Sequence, residues 1–292
     1  MDRMHLTRRD FPKLLGSAAL DYFLRPAAGA GYGYLLASNQ FKVETIRLKL
    51  PRLSRSFSGL RVAQISDIHM GSWMNAHRLQ QVANLVVAQS PDLLVITGDF
   101  LVGKGFGARS RMCLQELRKV LMPLATSIPS FAVLGNHDYW TNPDAIREML
   151  QLCKITDLTN SVFTLTRGSE HLHMCGVDDV RTGDVRLDDV LAQLQDDSAA
   201  ILLVHEPDFA DTSAGTGRFD LQISGHTHGG QVVFPYLGPL VLPYLGRKYP
   251  AGLYKVGNMF QYTNRGVGSA RLPIRINCPP EITIFVLEST VS

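Results

Sequence analysis

Apolar and polar positions along this chain switch between two periods. Short, largely apolar runs at Arg61–Ser66, Asp92–Thr97, Phe131–Leu134 and Ala200–Val204 have the length and branched content of buried strands. Between them the period lengthens. Asn75 to Ser90 carries Leu79, Val82, Ala83, Val86 and Val87 on one helical stripe, which Pro91 stops. Arg109 to Ala125 predicts a second helix and Pro143 to Cys153 a third, with Pro143 at a helix start, where its missing N–H is no loss. After Asn160 strands predominate: Ser161–Thr166, His171–Gly176, Phe219–Ser224, Gln231–Phe234, Leu253–Val256, Gln261–Thr263 and Glu281–Leu287. Helices outside two sheets packed face to face satisfy this order of elements.

Five of these runs end on side chains that bind metals: Asp67-Ile68-His69, Gly98-Asp99, Gly135-Asn136-His137-Asp138, His205, and Gly225-His226-Thr227-His228-Gly229-Gly230. In layered α/β folds the carboxyl ends of strands gather on one rim, so residues far apart in sequence converge there on loops held by rigid strands. Carboxylate oxygen, amide oxygen and imidazole nitrogen suit divalent ions, and a carboxylate can bridge two of them. Cysteine is absent from all five segments, which argues against thiolate-rich structural zinc and for Mn, Fe, Zn or a mixed pair. Two ions about 3.5–4 Å apart clamp the attacking and leaving oxygens of a displacement at phosphorus and lower the pKa of a bound water to about 7.

In order and wording the segments resemble the calcineurin-like metallophosphoesterase superfamily, whose pattern is D-x-H, G-D, G-N-H-[DE], a lone His, then G-H-x-H. Every element is present. Any one of them is weak by itself; the ordered set, each member after a strand, is strong. The resemblance implies a four-layer αββα sandwich. It also implies a binuclear hydrolase, with Asp67, His69 and His228 on one metal, Asn136, His205 and His226 on the other, and Asp99 bridging. His137 would face the substrate as the catalytic histidine, with Asp138 orienting its imidazole.

Taken singly, Asp99 and Asn136 read as turn or cap residues, and His205 as a satisfied interior histidine; their place in the series promotes them. His171 and His173 share a strand face but lie outside every motif, so they read as an ordinary pair. The net charge of +3, with scattered Lys and Arg, implies no nucleic-acid groove. The composition suits one large folded domain, and the resemblance implies that it covers residues 57–292. Cys113, Cys153, Cys175 and Cys278 lack C-x-x-C spacing and read as buried thiols rather than disulfides.

Residues 1–30 differ in kind. Thr7-Arg8-Arg9-Asp10-Phe11-Pro12-Lys13, a mildly apolar stretch from Leu14 to Leu24, and Ala28-Gly29-Ala30 resemble a twin-arginine export signal, with Pro12 and Asp21 departing from the pattern. Residues 31–56 read as a lead-in. Asp21 and Arg25 would cost about 5–7 kcal/mol at the centre of a spanning helix, so peripheral membrane contact is expected rather than a span. The alternative to export is the cytoplasmic face of the inner membrane.

The stretch from Phe234 to Tyr249 is too rich in Pro and Gly for regular structure, and its Leu, Tyr and Pro residues suit an apolar wall beside the site. Arg247-Lys248-Tyr249 and Asn264-Arg265-Gly266-Val267-Gly268 resemble segments of a bacterial subfamily that joins this domain to a membrane-directed N-terminus. Arg265 is the expected phosphate contact, since guanidinium meets phosphate oxygens bidentately. The resemblance leaves phosphomonoesters or diesters, small or lipid-linked, as substrates. UDP-2,3-diacylglucosamine pyrophosphatase activity in lipid A biosynthesis is the alternative, and a catalytically inactive scaffold is the reading from another class.

Overall fold

Alternate side chains of a strand point to opposite faces, and here both faces are apolar. In β3 (Leu93–Thr97), Leu94 and Ile96 enter one core and Leu93 and Val95 another. Such a strand belongs inside a sheet covered on both sides. The computed structural model, which describes residues 40–103, 105–269 and 272–290, places it there.

The first sheet runs in the order β1 (Lys42–Leu50), β14 (Glu281–Ser289), β2 (Arg61–Ile65), β3, β4 (Ser130–Val133) and β5 (Thr156–Asp157). The second runs β12 (Gly252–Val256), β13 (Met259–Thr263), β9 (Leu221–Ser224), β8 (Ala200–Leu203), β7 (Glu170–Gly176) and β6 (Ser161–Arg167). Strands β2, β3 and β4 are parallel to one another, as are β8 and β9, so each sheet presents neighbouring carboxyl ends. Between the sheets Val62, Val95, Phe131 and Val133 meet Ile201, Leu203, Ile223 and Tyr262. Each such side chain contributes roughly 1.5–3 kcal/mol of burial.

On the outer face of the first sheet lie α1 (Ala76–Ala88), α2 (Ala108–Ser127) and, after the short α3 (Asn136–Thr141), α4 (Pro143–Cys153). They dock through Leu79, Val82, Leu117, Leu121, Ile146 and Leu150. Asn75 caps α1 and Asn142 caps α4, each side chain accepting an otherwise orphaned N–H. The second sheet is covered by α5 (Leu187–Gln193) and α6 (Ala210–Gly215), through Val190 and Ala210. The result is the four-layer αββα sandwich.

Two expectations change. The segment 31–56 is more than a lead-in, because Lys42–Leu50 pairs in parallel with β14 over its whole length and buries Leu48 and Leu50. The domain therefore starts ahead of residue 57. Its charged residues hid it: an edge strand keeps one side in water, and Lys42, Glu44, Arg47 and Lys49 break any apolar run. The strand expected at Gln231–Phe234 shrinks to β10 (Val233–Phe234), which pairs with β11 (Gly238–Pro239), apart from both sheets. The export-signal segment lies outside the described residues. Among those described, no helix is long and apolar enough to cross a membrane.

Candidate metal centre

Each residue of the five segments leaves the carboxyl end of a parallel strand. Asp67 and His69 follow β2, Asp99 follows β3, Asn136 to Asp138 open α3 after β4, His205 follows β8, and His226 and His228 follow β9. The site therefore sits across the rim where the two sheets meet. Gln64 ties the sheets together just below it, donating to Thr97 Oγ1 and to the Ser224 carbonyl, both at 2.9 Å.

Five of these residues, Asp67, His69, Asp99, His226 and His228, have left-handed backbone with φ between 49° and 72°. Each such non-glycine conformation costs on the order of 1–3 kcal/mol and persists only where the surroundings impose it. It turns consecutive side chains inward at strand ends. Space is cleared by glycine: a Cβ on Gly225 would lie 1.9 Å from Ser66 Oγ and 2.4 Å from Asp67 Oδ2, and one on Gly135 would lie 2.4 Å from Asp99 Oδ1.

The donor atoms converge. His69 Nε2 lies 3.0 Å from His228 Nε2 and 3.4 Å from Asp99 Oδ2, while His228 Nε2 is 3.4 Å from Asp67 Oδ1 and His205 Nε2 is 3.3 Å from Asp99 Oδ2. Such spacings are those of donors about 2.0–2.2 Å from a shared ion. Three groups bring donors within 4.8 Å of one another: Asp67, His69 and His228; Asp67, Asp99 and His205; and His69, Asp99 and His137. His226 joins through its ring, 4.9 Å from that of His205.

Tautomers follow from backbone partners. His205 Nδ1 lies 2.7 Å from the Thr97 carbonyl and His226 Nε2 lies 2.9 Å from the Tyr244 carbonyl, so each donates there and turns its other nitrogen to the site. His226 Nδ1, Asn136 Oδ1 and His205 Nε2 are all buried, and among the described residues none of them has a hydrogen-bond partner. Leaving such atoms unpaired costs about 1–3 kcal/mol each, a cost that a cation would offset.

Burial pushes His69 and His226 down to about 3 and His228 well below its usual value, so all three are neutral near pH 7, the form that ligates. Burial likewise raises Asp67 to about 6. Burial also disfavours a charge on His205, yet Asp99, then Asp67 and Glu206, raise it well above the ordinary value. Burial opposes the charge on Asp99 too, and His205, with His69 and His137, holds that carboxyl well below the usual range. The field thus favours positive charge between Asp99 and the histidines. Residues and field together fit divalent ions.

Two assignments change. Asp138 does not orient His137, because its oxygens accept four backbone N–H groups: Gly135 and Asp99 on Oδ2, Phe100 and Leu101 on Oδ1, at 2.9–3.3 Å. It fastens the Asp99 loop to the start of α3. Burial and the nearby Asp99 charge push its carboxyl up to about 8, and the four donors favour the ionised form against that. Arg265 does not face the site. Its Nε donates to Glu281 and its Nη2 to Glu44 at 2.9 Å, which consumes the fork expected to hold phosphate.

A residue the motifs did not mark is Arg275, fully buried behind the site. Its guanidinium donates to the carbonyls of Arg265, Gly266, Gly268 and Cys278, with Nη2 3.4 Å from His228 Nδ1. This holds the loop whose Val267 and Gly268 N–H groups bond the Ser66 and Asp67 carbonyls. One arginine in a Pro-rich stretch carries no sequence signal of that role.

The family model described as calcineurin-like phosphoesterase matches residues 60–230, more than half of the chain and the span holding every ligand-type residue above. The chain belongs to this family. It is a metal-dependent phosphoesterase, a hydrolase. This phosphoesterase is 33% identical over 290 residues to the uncharacterized metallophosphoesterase YkuE of Bacillus subtilis (strain 168), covering 98% of this chain and 99% of that one. It is 29% identical over 267 residues to phosphodiesterase YaeI of Escherichia coli (strain K12), covering 89% and 94%. With the transmembrane protein with metallophosphoesterase domain of Danio rerio it shares 31% identity over 276 residues, 89% of this chain and 60% of that one.

Proposed function

We propose that this phosphoesterase hydrolyses phosphomonoesters or phosphodiesters of small molecules at a site for two divalent ions drawn from Mn, Fe and Zn. Asp67, His69 and His228 would hold one ion and Asn136, His205 and His226 the other, with Asp99 between. What carries the reading is the pair of buried acceptors Asn136 Oδ1 and His226 Nδ1, without a hydrogen-bond partner among the described residues, beside the 3.0 Å approach of two imidazole nitrogens. When bound, such a pair supplies Lewis acidity toward phosphoryl oxygens and lowers the pKa of a coordinated water.

The protein's own groups do the rest. Asp138 and Arg275 hold the loops that carry Asp99 and Asp67. His137 is half-buried at the mouth, its ring 4.7 Å from that of His69, where it can meet a phosphoryl oxygen or the leaving oxygen. A lipid-linked substrate is a second reading, favoured by the fully exposed Tyr236 and the largely exposed Leu237, Leu240, Val241 and Tyr244 on the loop whose Tyr244 carbonyl holds His226. Export by way of Arg8 and Arg9 is likewise proposed, resting on their sequence context, and lysine replacement followed by cell fractionation tests it.

Turnover of p-nitrophenyl phosphate and bis-p-nitrophenyl phosphate with added Mn²⁺, then of UDP-2,3-diacylglucosamine, tests the function. Hydrolysis of the first two supports it. Turnover of the last alone would replace it with the lipid A reading, and turnover of none, with metal bound, would leave a binding scaffold.

A further inference from the structure

The loop from Val177 to Asp184 joins β7 to α5 beside the metal centre, and three buried carboxylates build it. Asp178 accepts the N–H groups of Asp179 and Asp184 at 2.9 Å, and the Tyr139 hydroxyl donates to it from α3. Asp179 accepts the Thr182 N–H at 2.7 Å and its hydroxyl at 2.5 Å. Glu206, next to His205, accepts the Val180 N–H at 3.0 Å. Backbone N–H groups on both sides of Arg181 are thus fixed from beneath, while Arg181 itself is exposed. Buried carboxyl groups used to stiffen a surface loop need a reason, because each carries a desolvation cost.

The reason lies in where Arg181 points. Its guanidinium sits over the Trp140 ring, 4.9 Å from the centroid; that ring is 4.7 Å from His137, and His137 is 4.7 Å from His69. Among the described residues Arg181 makes no ion pair, whereas Arg265 is bound to Glu281 and Glu44, and Arg275 is enclosed by carbonyls. Stacking on Trp140 spends the face of the guanidinium and leaves its edge of N–H donors open. The guanidinium is linked to the ligand His69 through Trp140 and then His137, a placement suited to a group further along the substrate.

We propose that Arg181, stacked on Trp140, is a specificity residue that binds a second anionic group of the substrate, a phosphate beyond the one being hydrolysed. This rests on the phosphoesterase reading of the site and deepens it. Arg181 meets the distal phosphate through its open donor edge, and Trp140 offers the rest of its face to whatever links the two phosphates. The loop's rigidity is the preorganisation that makes the contact selective.

Two esters with one scissile bond test it: thymidine 5′-(p-nitrophenyl phosphate), and the same compound carrying a 3′-phosphate. Arg181→Ala is expected to raise KM for the 3′-phosphorylated ester about tenfold, the loss of about 1.4 kcal/mol of binding. KM for the parent ester should rise much less, and Arg181→Lys should fall between. Equal changes on both esters would overturn the proposal. A readout independent of turnover uses Trp140 as the one remaining tryptophan in a Trp73→Phe background. Its emission should titrate with the non-hydrolysable 3′,5′-bisphosphonate analogue of thymidine, with Kd about tenfold weaker in Arg181→Ala. An unmoved Kd would overturn the proposal as well. Failure of the wild type to turn over any p-nitrophenyl ester would instead remove the proposed small-molecule substrates, leaving the titration to judge Arg181.

Discussion

The backbone N–H of His137 donates to Oδ1 of Asp99 at 2.9 Å. One oxygen of Asp99 is thereby committed, and Oδ2 alone faces His69 and His205. Asp99→Asn cannot satisfy both sides. An amide nitrogen at the Oδ1 position would meet the His137 N–H donor to donor, so the amide turns its NH₂ toward the metal-binding nitrogens. The variant is expected to lose both metals and essentially all turnover, read by elemental analysis and by p-nitrophenyl phosphate hydrolysis. Two metals per chain with near-native rate would show that Asp99 does not bridge.

Asp138→Asn leaves four N–H donors facing an amide that offers a single good acceptor oxygen. Supporting groups of this kind typically carry about 10–100-fold in metal affinity or activity. A loss of that size, with a lowered melting temperature, is expected. A variant that kept its melting temperature and metal affinity while losing rate only on poor leaving groups would return Asp138 to the role of orienting His137.

His137→Ala should keep its metals and lose about 10²–10⁴-fold in kcat, most with alkoxide leaving groups. The competing outcome is real chemistry, since His137 shares a donor cluster with His69 and Asp99. Metal loss as complete as in His226→Ala would make it a ligand.

Arg265→Ala removes the cationic partner of Glu281, which is 2% exposed and would keep the neutral donors Tyr262, Asn264 and Thr283. Breaking one side of a buried pair costs about 3–5 kcal/mol, so the melting temperature should fall by on the order of 10 °C. KM for p-nitrophenyl phosphate should move less than about twofold, because a guanidinium committed to Glu281 and Glu44 has little left for phosphate. A tenfold KM rise at unchanged stability would restore the phosphate contact.

Local pattern made the sandwich legible: continuous apolar runs for strands buried on two faces, a 3.6-residue stripe for α1, and Pro143 and Asn142 at the start of α4. The residues whose donors converge were legible as well, because Asp67, His69, Asp99, His205 and His228 each stand just past a strand, a position readable without knowing the partner strands. Pairing was not. Strand β1 depends on β14, some 240 residues away, and an edge strand's half-charged pattern resembles a solvated lead-in until that partner is known. The side-chain partners of Asp138, Arg265 and Arg181 were also closed to sequence, since a charge is defined by what it touches, and that is decided only when loops from both sheets meet at one rim. Arg265 and Arg181 are the same residue type in loops near one site. Tertiary structure gave one two carboxylates and the other an indole face, and so left only the second guanidinium with donors open to a ligand.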